Sequence, residues 1–158
     1  MKLSNPLKLF IAILVSQLAG IIGALFTMEA IPTWYAQLAR PEIAPPNWVF
    51  GPVWTTLYTL MGISAFLVWK KGLERRDVRM ALIVFGIHLV FNTLWSIIFF
   101  GFQELGWALA EISVLWIFIV ATMFLFYRIH KVASYLLIPY LLWVSFASYL
   151  NYSFWVIN

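Results

Sequence analysis

Residues 105–127 read LGWALAEISVLWIFIVATMFLFY, and this stretch decides the fold class of the chain. Its 23 residues contain one charged side chain, Glu111, and no proline. An α-helix rises about 1.5 Å per residue, so the stretch would reach about 35 Å as a helix, more than the ~30 Å hydrocarbon core of a bilayer. It therefore predicts a membrane-spanning helix.

Four stretches of similar length and apolarity lie on either side of it. The whole chain agrees, because 64% of its 158 residues are hydrophobic and 10% are charged, against about 25% charged residues in soluble domains. Its mean hydropathy is +0.93, and the absence of cysteine excludes a disulfide scaffold. We expect residues 1–158 to form a single all-α integral membrane domain of five transmembrane helices. These cover roughly Leu9–Phe26, Trp48–Trp69, Met80–Gly101, Leu105–Tyr127 and Val132–Trp155.

The lysine and arginine residues predict the orientation of the chain. Nine of the ten lie in the N-terminus and in the second and fourth connections, whereas Arg40 lies in the first. Because positive residues favour the cytoplasmic side, we expect a cytoplasmic N-terminus, with the first loop and the C-terminus outside. The positive charge thus serves topology, and we expect no nucleic acid partner. The nine cations are Lys2, Lys8, Lys70, Lys71, Arg75, Arg76, Arg79, Arg128 and Lys131.

The first connection, Thr27–Asn47, is the one long loop. Loops of this length are usually functional, and it contains four prolines and two aromatic residues. Thr33–Ala39 follows Pro32 and is predicted to form a short helix. We interpret this loop as a lid.

Tryptophan is the strongest chemical signal. Trp69, Trp107 and Trp155 lie at span ends, where tryptophan is common for reasons unrelated to ligands. Three others lie inside spans, at depths of about 9 Å (Trp54 and Trp95) and about 18 Å (Trp143) from the outer ends. A buried indole N–H requires an acceptor, so these residues indicate either a packed core or the wall of a site for a large aromatic ligand.

Three polar residues also lie within spans: His88, Asn92 and Glu111. Asn92 could join helices or donate to a ligand carbonyl, and His88 is more typical of packing than of haem ligation. Glu111 is the only acid well inside a span and has no cation at its depth, so it is either protonated or faces a wet crevice. No catalytic or metal-ligating motif is recognisable.

Four motifs follow one another along the chain. The first is Trp34-Tyr35-x-x-Leu38-x-Arg40-Pro41, followed by Pro45-Pro46-x-Trp48-Val49-Phe50-Gly51-Pro52-Val53-Trp54-Thr55-x-Leu57-Tyr58. The others are Asn92-x-x-Trp95-Ser96-x-x-Phe99-Phe100-Gly101, Gly106-Trp107-Ala108, and Pro139-Tyr140-Leu141-x-Trp143-x-x-Phe146-Ala147-x-x-Leu150-Asn151. In this order they resemble the translocator protein or tryptophan-rich sensory protein family, also called peripheral-type benzodiazepine receptors.

The resemblance implies a five-helix bundle, usually a homodimer, without an obligatory cofactor. It implies binding of tetrapyrroles such as protoporphyrin IX and haem, and of isoquinoline or benzodiazepine drugs, in a pocket beneath the first loop. Carried over by motif, the pocket residues are Trp34, Pro45, Val49, Trp54, Tyr58, Asn92, Trp95, Trp143, Phe146, Ala147 and Leu150. We add Arg40, the only Lys or Arg on the outer side, which would either clamp a propionate or anchor the lid.

One departure from the family concerns sterols. The sterol pattern of animal members needs a cation after its tyrosine in the fifth helix, and this chain has no Lys or Arg after Lys131. We therefore expect a bacterial member without native cholesterol transport.

Three functions stay open from the sequence. The first is a tetrapyrrole-binding sensor or carrier. The second is an enzyme that degrades protoporphyrin in light, in which Trp54 and Trp143 would react with the macrocycle. The third is a scaffold that regulates partner proteins.

Small residues suggest how helices meet. Ala12, Ser16, Gly20 and Ala24 recur every four residues on the first helix, a spacing that permits close packing or forms a smooth wall for a flat ligand. The family resemblance implies dimerisation through the third helix, which offers Ala81 and Gly86. We assign the first-helix stripe to packing within the monomer, next to the pocket.

Overall fold

The computed structural model describes residues 3–158, in which every regular element is helical. Five segments of this range are long and apolar enough to cross a membrane, which confirms the predicted five-helix transmembrane fold with a long first loop. The chain is a multi-pass integral membrane protein. The helices are α1 (Asn5–Ala30), α2 (Phe50–Trp69), α3 (Arg76–Ser96), α4 (Leu105–Ile129), α5 (Lys131–Tyr135) and α6 (Ile138–Ile157), the last two forming the fifth span.

The first and third spans are longer than the apolar stretches that predict them. α1 begins at Asn5 and ends at Ala30, about one turn beyond the expected Leu9–Phe26 at each end. Pro6 lies in its first turn, where a missing backbone N–H breaks no intrahelical hydrogen bond. α3 begins at Arg76 and not at Met80. Polar residues extend these helices because helix ends lie in the wet interface, not in the hydrocarbon.

The fifth span is broken, in contrast to the continuous helix expected over residues 132–155. α5 ends at Tyr135, and Pro139 lies in the first turn of α6. Proline lacks a backbone N–H, and its ring collides with the carbonyl four residues earlier, so an unbroken helix is disfavoured here. The buried Ser64 hydroxyl of α2 donates a 2.6 Å hydrogen bond to the carbonyl of Ala133 in α5.

The third span ends in a π-helical turn, Ile97–Gly101. The Phe102 N–H donates to the carbonyl five residues earlier, at 2.8 Å. Such wide turns are frequent at functional sites. This one places Phe99 and Phe100 beside Trp95, with ring centroids 5.1 and 5.9 Å away, beneath the first loop.

α1 packs on α2 along a seam whose closeness changes along its length. At Gly62 the helices approach so closely that a Cβ added there would lie 2.5 Å from Ile13 Cα. Ser16 is fully buried and donates to the Ala12 carbonyl at 3.0 Å. The end of the bundle that carries the first loop is called the loop end below. Toward the loop end the two helices stay in contact through Tyr58 and Gly20, and both line a cavity.

The predicted cytoplasmic cations lie at the end of the bundle remote from the loop end, either in the second connection or in the terminal turns of the helices, apart from Lys2, which falls outside the described residues. The third connection and the last turn of α6 share the loop end with the first loop, as the helix order requires. The orientation of this bundle in a membrane stays a prediction.

Candidate ligand site beneath the first loop

A cavity of about 370 Å³ lies between α1, α2, the π turn and α6, directly beneath the first loop. Its lining is mostly apolar and aromatic, and its volume falls within the ~300–1,000 Å³ typical of small-molecule sites. The lining residues are Gln17, Gly20, Ile21, Ala24, Thr27, Met28, Ile31, Tyr35, Asn47, Phe50, Gly51, Trp54, Thr55, Tyr58, Trp95, Ser96, Phe99, Phe100, Trp143, Ala147, Leu150, Asn151 and Phe154.

The α1 wall of the cavity is made by small residues. Gly20 and Ala24 line it, and a Cβ added to Gly20 would clash with the Cε2 atom of the Tyr58 ring. Gly20 is therefore required by the close approach of this ring. Ser16 and Ala12, about one and two turns further down, are buried against the rest of the bundle. The stripe of small residues thus combines packing with a smooth cavity wall.

Aromatic side chains form the opposite walls. Trp54 stacks on Tyr58, with ring centroids 5.5 Å apart and an interplanar angle of 26°. Trp143 meets Phe50 edge-on at 6.0 Å. Trp95 completes the aromatic lining from α3. These residues belong to three different spans, so the fold brings together tryptophans that are far apart in the sequence.

Two hydrogen-bonded groups support the aromatic walls. The Trp95 indole donates to Asn151 Oδ1 at 3.1 Å, and Asn151 Nδ2 donates to the Leu105 carbonyl at 2.9 Å. Behind Tyr58, Asn92 accepts a hydrogen bond from the Tyr58 hydroxyl and donates to the Tyr140 hydroxyl at 3.0 Å. The two amides hold the rings in fixed orientations, because buried polar groups in hydrocarbon require partners.

The indole N–H of Trp143 differs from that of Trp95. It is buried and has no hydrogen-bond partner within residues 3–158. Trp143 itself lines the cavity. Because this nitrogen is not accessible from the cavity, a ligand acceptor could reach it only after the indole turned.

The first loop is held down over the cavity at two points, Tyr35 and Ala39, and Arg40 forms a hydrogen bond within the loop. Tyr35 is buried, with its ring 5.2 Å from Phe154, and burial raises the pKa of its phenol while Arg40 lowers it by less. The Arg40 guanidinium donates to the Pro45 carbonyl at 2.8 Å. The Asn158 amide donates to the Ala39 carbonyl at 3.1 Å and accepts from the Ala39 N–H at 2.8 Å.

The loop contains less helix than the sequence predicts. Instead of a helix over Thr33–Ala39, it forms one 3₁₀ turn at Tyr35–Gln37 and is extended from Leu38. Pro41 disfavours the helical conformation at Arg40, the residue before it. The earlier end at Leu38 turns the chain down to the Ala39 contact with Asn158.

The twelve residues predicted to bind ligand fall into two groups. Six line the cavity and six lie behind it or in the loop, and ligand contact stays a prediction for all twelve. Those in the lining are Trp54, Tyr58, Trp95, Trp143, Ala147 and Leu150. The six outside it are Trp34, Arg40, Pro45, Val49, Asn92 and Phe146. Trp34 packs edge-on on Phe99, Arg40 is hydrogen-bonded to Pro45, and Val49 lies in the 3₁₀ turn before α2. Asn92 lies behind Tyr58, and Phe146 packs against Trp143.

Sequence reasoning missed part of the lining. Tyr35 and Phe50 belong to the quoted motifs, but the pocket assignment passed over them. Gln17 is the informative omission, because it is the only amide in the apolar stretch 9–26. An isolated amide at membrane depth signals a polar partner or a cavity.

His88 and Glu111 lie apart from this cavity. Both are buried, and their side-chain N and O atoms have no hydrogen-bond partner in the described part of the chain. The His88 ring packs 4.8 Å from Phe85 and 5.6 Å from Tyr140. Across residues 3–158, no three His, Asp or Glu side chains are grouped so that they could hold a metal ion.

Comparison with known proteins gives relatives over nearly the whole chain. Residues 12–156 match the sequence profile of the TspO/MBR family. The chain is 44% identical to the tryptophan-rich protein TspO of Chlorobaculum tepidum over 88% of each chain. It is 38% identical to the translocator protein of Homo sapiens, over 90% of this chain and 85% of that protein. It is 40% identical to the tryptophan-rich sensory protein of Cereibacter sphaeroides, over 75% of this chain and 73% of that protein. A five-span bundle with these relatives, matched from residue 12 to residue 156, belongs to the TspO/MBR family.

Proposed function

We propose that the protein is a membrane sensor or carrier that binds tetrapyrroles, such as protoporphyrin IX or haem, in the cavity beneath the first loop. The same cavity would take isoquinoline and benzodiazepine-type drugs. The observation that carries this proposal is the convergence of Trp54, Trp95 and Trp143 on one apolar cavity. Indole faces stack on large flat π systems, so three of them around one space favour a flat aromatic ligand.

The polar groups fit such a ligand. The exposed Asn47 amide lines the cavity at the loop end, and it would donate to a carbonyl or carboxylate of the ligand. Arg40 lies in the loop above and is the only cation in the first loop. Its hydrogen bond to Pro45 favours a role in holding the loop, and a propionate near the loop would add a second partner.

The names of the relatives support a sensing or transport role. The relative from Cereibacter sphaeroides is named a sensory protein and the human relative a translocator protein. We propose that the N-terminus is cytoplasmic and the loop end outside, since the cations of the second and fourth connections lie at the other end.

A second candidate function is degradation of protoporphyrin in light and oxygen. Trp54 and Trp143 both line the cavity, so both indoles would lie beside an excited macrocycle. Illuminating native and denatured protein with protoporphyrin tests this function. Faster loss of the Soret band with the native protein would support it, and equal loss would reject it.

The binding proposal is tested by titrating the purified protein with protoporphyrin IX and following tryptophan fluorescence. We expect saturable quenching, with a roughly 2- to 10-fold weaker affinity in Trp143→Phe, because the smaller ring loses about 0.5–1.5 kcal/mol of stacking with the ligand. Trp107→Phe is the matched control, since Trp107 is 72% exposed and lies outside the cavity. Equal affinity in the two variants would contradict the assigned site. Absence of saturable binding in the unaltered protein would favour a regulatory scaffold.

A further inference from the structure

The cavity is open on one side, between α1 and α2. Four of its lining residues on that side are also exposed on the outer surface of the bundle. Ile21 and Met28 of α1 are 55% and 72% exposed. Gly51 and Thr55 of α2 are exposed too, and a Cβ added to Gly51 would meet no atom within 4 Å. We call the opening bounded by these four residues the slot.

The slot faces the membrane. Ile21 lies nine residues below the loop end of α1, and Thr55 five residues below the start of α2. At 1.5 Å per residue these positions are about 14 Å and about 8 Å deep, within one leaflet of a ~30 Å hydrocarbon core. Met28 and Gly51 lie nearer the loop end, two and one residues from these helix ends, so the slot extends from the interface into the leaflet. A molecule that crosses its deeper part, beside Ile21 and Thr55, comes from lipid and not from water.

The slot has a closed floor. Gln17 Nε2 donates to the Thr55 carbonyl and to Thr59 Oγ1, both at 3.0 Å, and so ties α1 to α2. Below it the backbones meet at Gly62, where a Cβ would lie 2.5 Å from Ile13 Cα. The opening is thus confined to the leaflet at the loop end.

The first loop, which covers the cavity from above, is held in place by more contacts than the slot residues are. Tyr35 is inserted among Phe99, Phe100 and Phe154, and two hydrogen bonds pin Ala39 to Asn158. A route from water would have to release these contacts, whereas the route through the slot breaks none of them.

We propose that ligands reach the cavity sideways, from the leaflet at the loop end, through the slot between α1 and α2. This inference rests on the proposed ligand-binding function and names the ligand class: flat, membrane-dissolved amphiphiles. The slot edges at Ile21, Met28 and Gly51 are apolar, and Thr55 is the one polar residue among the four. A flat apolar body passes these edges, while a polar margin stays near the exposed Asn47 at the loop end.

Gly51 offers a direct test. Gly51→Leu adds bulk inside the slot without meeting another atom at Cβ, and leucine is also favoured over glycine in a helix. Ala110→Leu is the matched control, because Ala110 is an exposed small residue on α4, outside the cavity. Both variants are reconstituted in phosphatidylcholine vesicles that already contain protoporphyrin IX, and tryptophan quenching is followed with time.

In Gly51→Leu we expect association and dissociation both to slow, by about tenfold, because a narrowed passage is crossed in both directions. Ala110→Leu should behave as the unaltered protein does. Unchanged rates in Gly51→Leu would overturn the proposal.

Locking the loop tests the alternative route. The chain has no cysteine, so Ala39→Cys and Asn158→Cys can be joined selectively by a short bismaleimide across the existing contact. The slot route predicts the same association rate before and after crosslinking. A large loss of rate on crosslinking would show that ligands pass beneath the loop and would overturn the proposal.

A third measurement is independent of any natural ligand. Ala147→Cys places a single thiol in the cavity, and N-(1-pyrenyl)maleimide dissolved in the vesicles is a flat apolar probe. We expect labelling that slows in the Gly51→Leu background and not in the Ala110→Leu background. A labelling rate that Gly51→Leu does not change would overturn the proposal that ligands enter through the slot. If protoporphyrin fails to bind the unaltered protein, the proposed function fails, and the pyrene labelling alone then decides the slot.

Discussion

Asn92 shows how one amide organises the middle of the bundle. It accepts from the Tyr58 hydroxyl and donates to the Tyr140 hydroxyl, and Tyr58 in turn carries the stacked Trp54 at the cavity wall. No water is available at this depth of the membrane to replace a lost hydrogen-bond partner. The cavity wall therefore depends on a residue that does not line it.

We predict that Asn92→Leu destabilises the protein by about 1–3 kcal/mol, because two buried tyrosine hydroxyls each lose a partner. Denaturant unfolding in detergent measures this change. Adding Tyr58→Phe to Asn92→Leu removes one stranded hydroxyl and should restore part of the stability. A double variant no more stable than Asn92→Leu would show that the loss comes from packing instead.

The first loop can be tested as one element through Arg40, for which two roles are open: stabilising the loop or clamping a ligand carboxylate. If Arg40 stabilises the conformation of the loop through its hydrogen bond to Pro45, which lies in the same loop, Arg40→Ala should speed amide hydrogen exchange at Tyr35–Gln37 and weaken protoporphyrin binding. We predict both effects, with a change of affinity of about fivefold, equivalent to about 1 kcal/mol. Weaker binding with unaltered exchange would indicate a direct clamp on the ligand, and no change in either quantity would exclude both roles.

The elements differ in how far the sequence reveals them. The five spans can be predicted from the sequence, because a run of ~20 apolar residues rarely forms anything other than a membrane-spanning helix. The break before α6 also had a signal, Pro139, which lies seven residues into the predicted helix. The π turn at Ile97–Gly101 had none, since its residues are as apolar as those of an α-helix. The slot depends on the divergence of α1 from α2, which is a tertiary property absent from either sequence segment.

At the scale of the whole molecule, the third span has an outer face that a second copy could cover. Ala81, which the sequence offered for this contact, is fully buried in the monomer. Gly86 has open space at its Cβ, and Ile83 and Val90 beside it are exposed. Small residues let transmembrane helices approach closely. We therefore retain the proposal of a homodimer through α3 and centre it on Gly86.

Two glycine substitutions should separate assembly from binding. We predict that Gly86→Leu weakens the dimer and keeps protoporphyrin binding, because its added atoms point away from the bundle. Gly20→Leu should impair folding or binding and leave the surviving protein dimeric, because its side chain would displace Tyr58. Sedimentation in detergent with a parallel fluorescence titration measures both. A monomeric Gly20→Leu variant that still binds ligand would place the dimer on α1.

An opening toward lipid changes what an affinity for this protein means. Each methylene added to a ligand improves its partition from water into the bilayer by about 0.8 kcal/mol. Transfer from the bilayer into an apolar cavity exchanges one oily surrounding for another, so the same methylene adds little to the fit. In a series of ligands with longer and longer alkyl chains, the affinity calculated from the aqueous ligand concentration would then increase. The affinity calculated from the mole fraction of ligand in the membrane would stay constant. A ranking of potency by aqueous concentration would therefore mainly reflect how strongly each compound partitions into the membrane. A ranking by mole fraction in the membrane would reflect how well each compound fits the site.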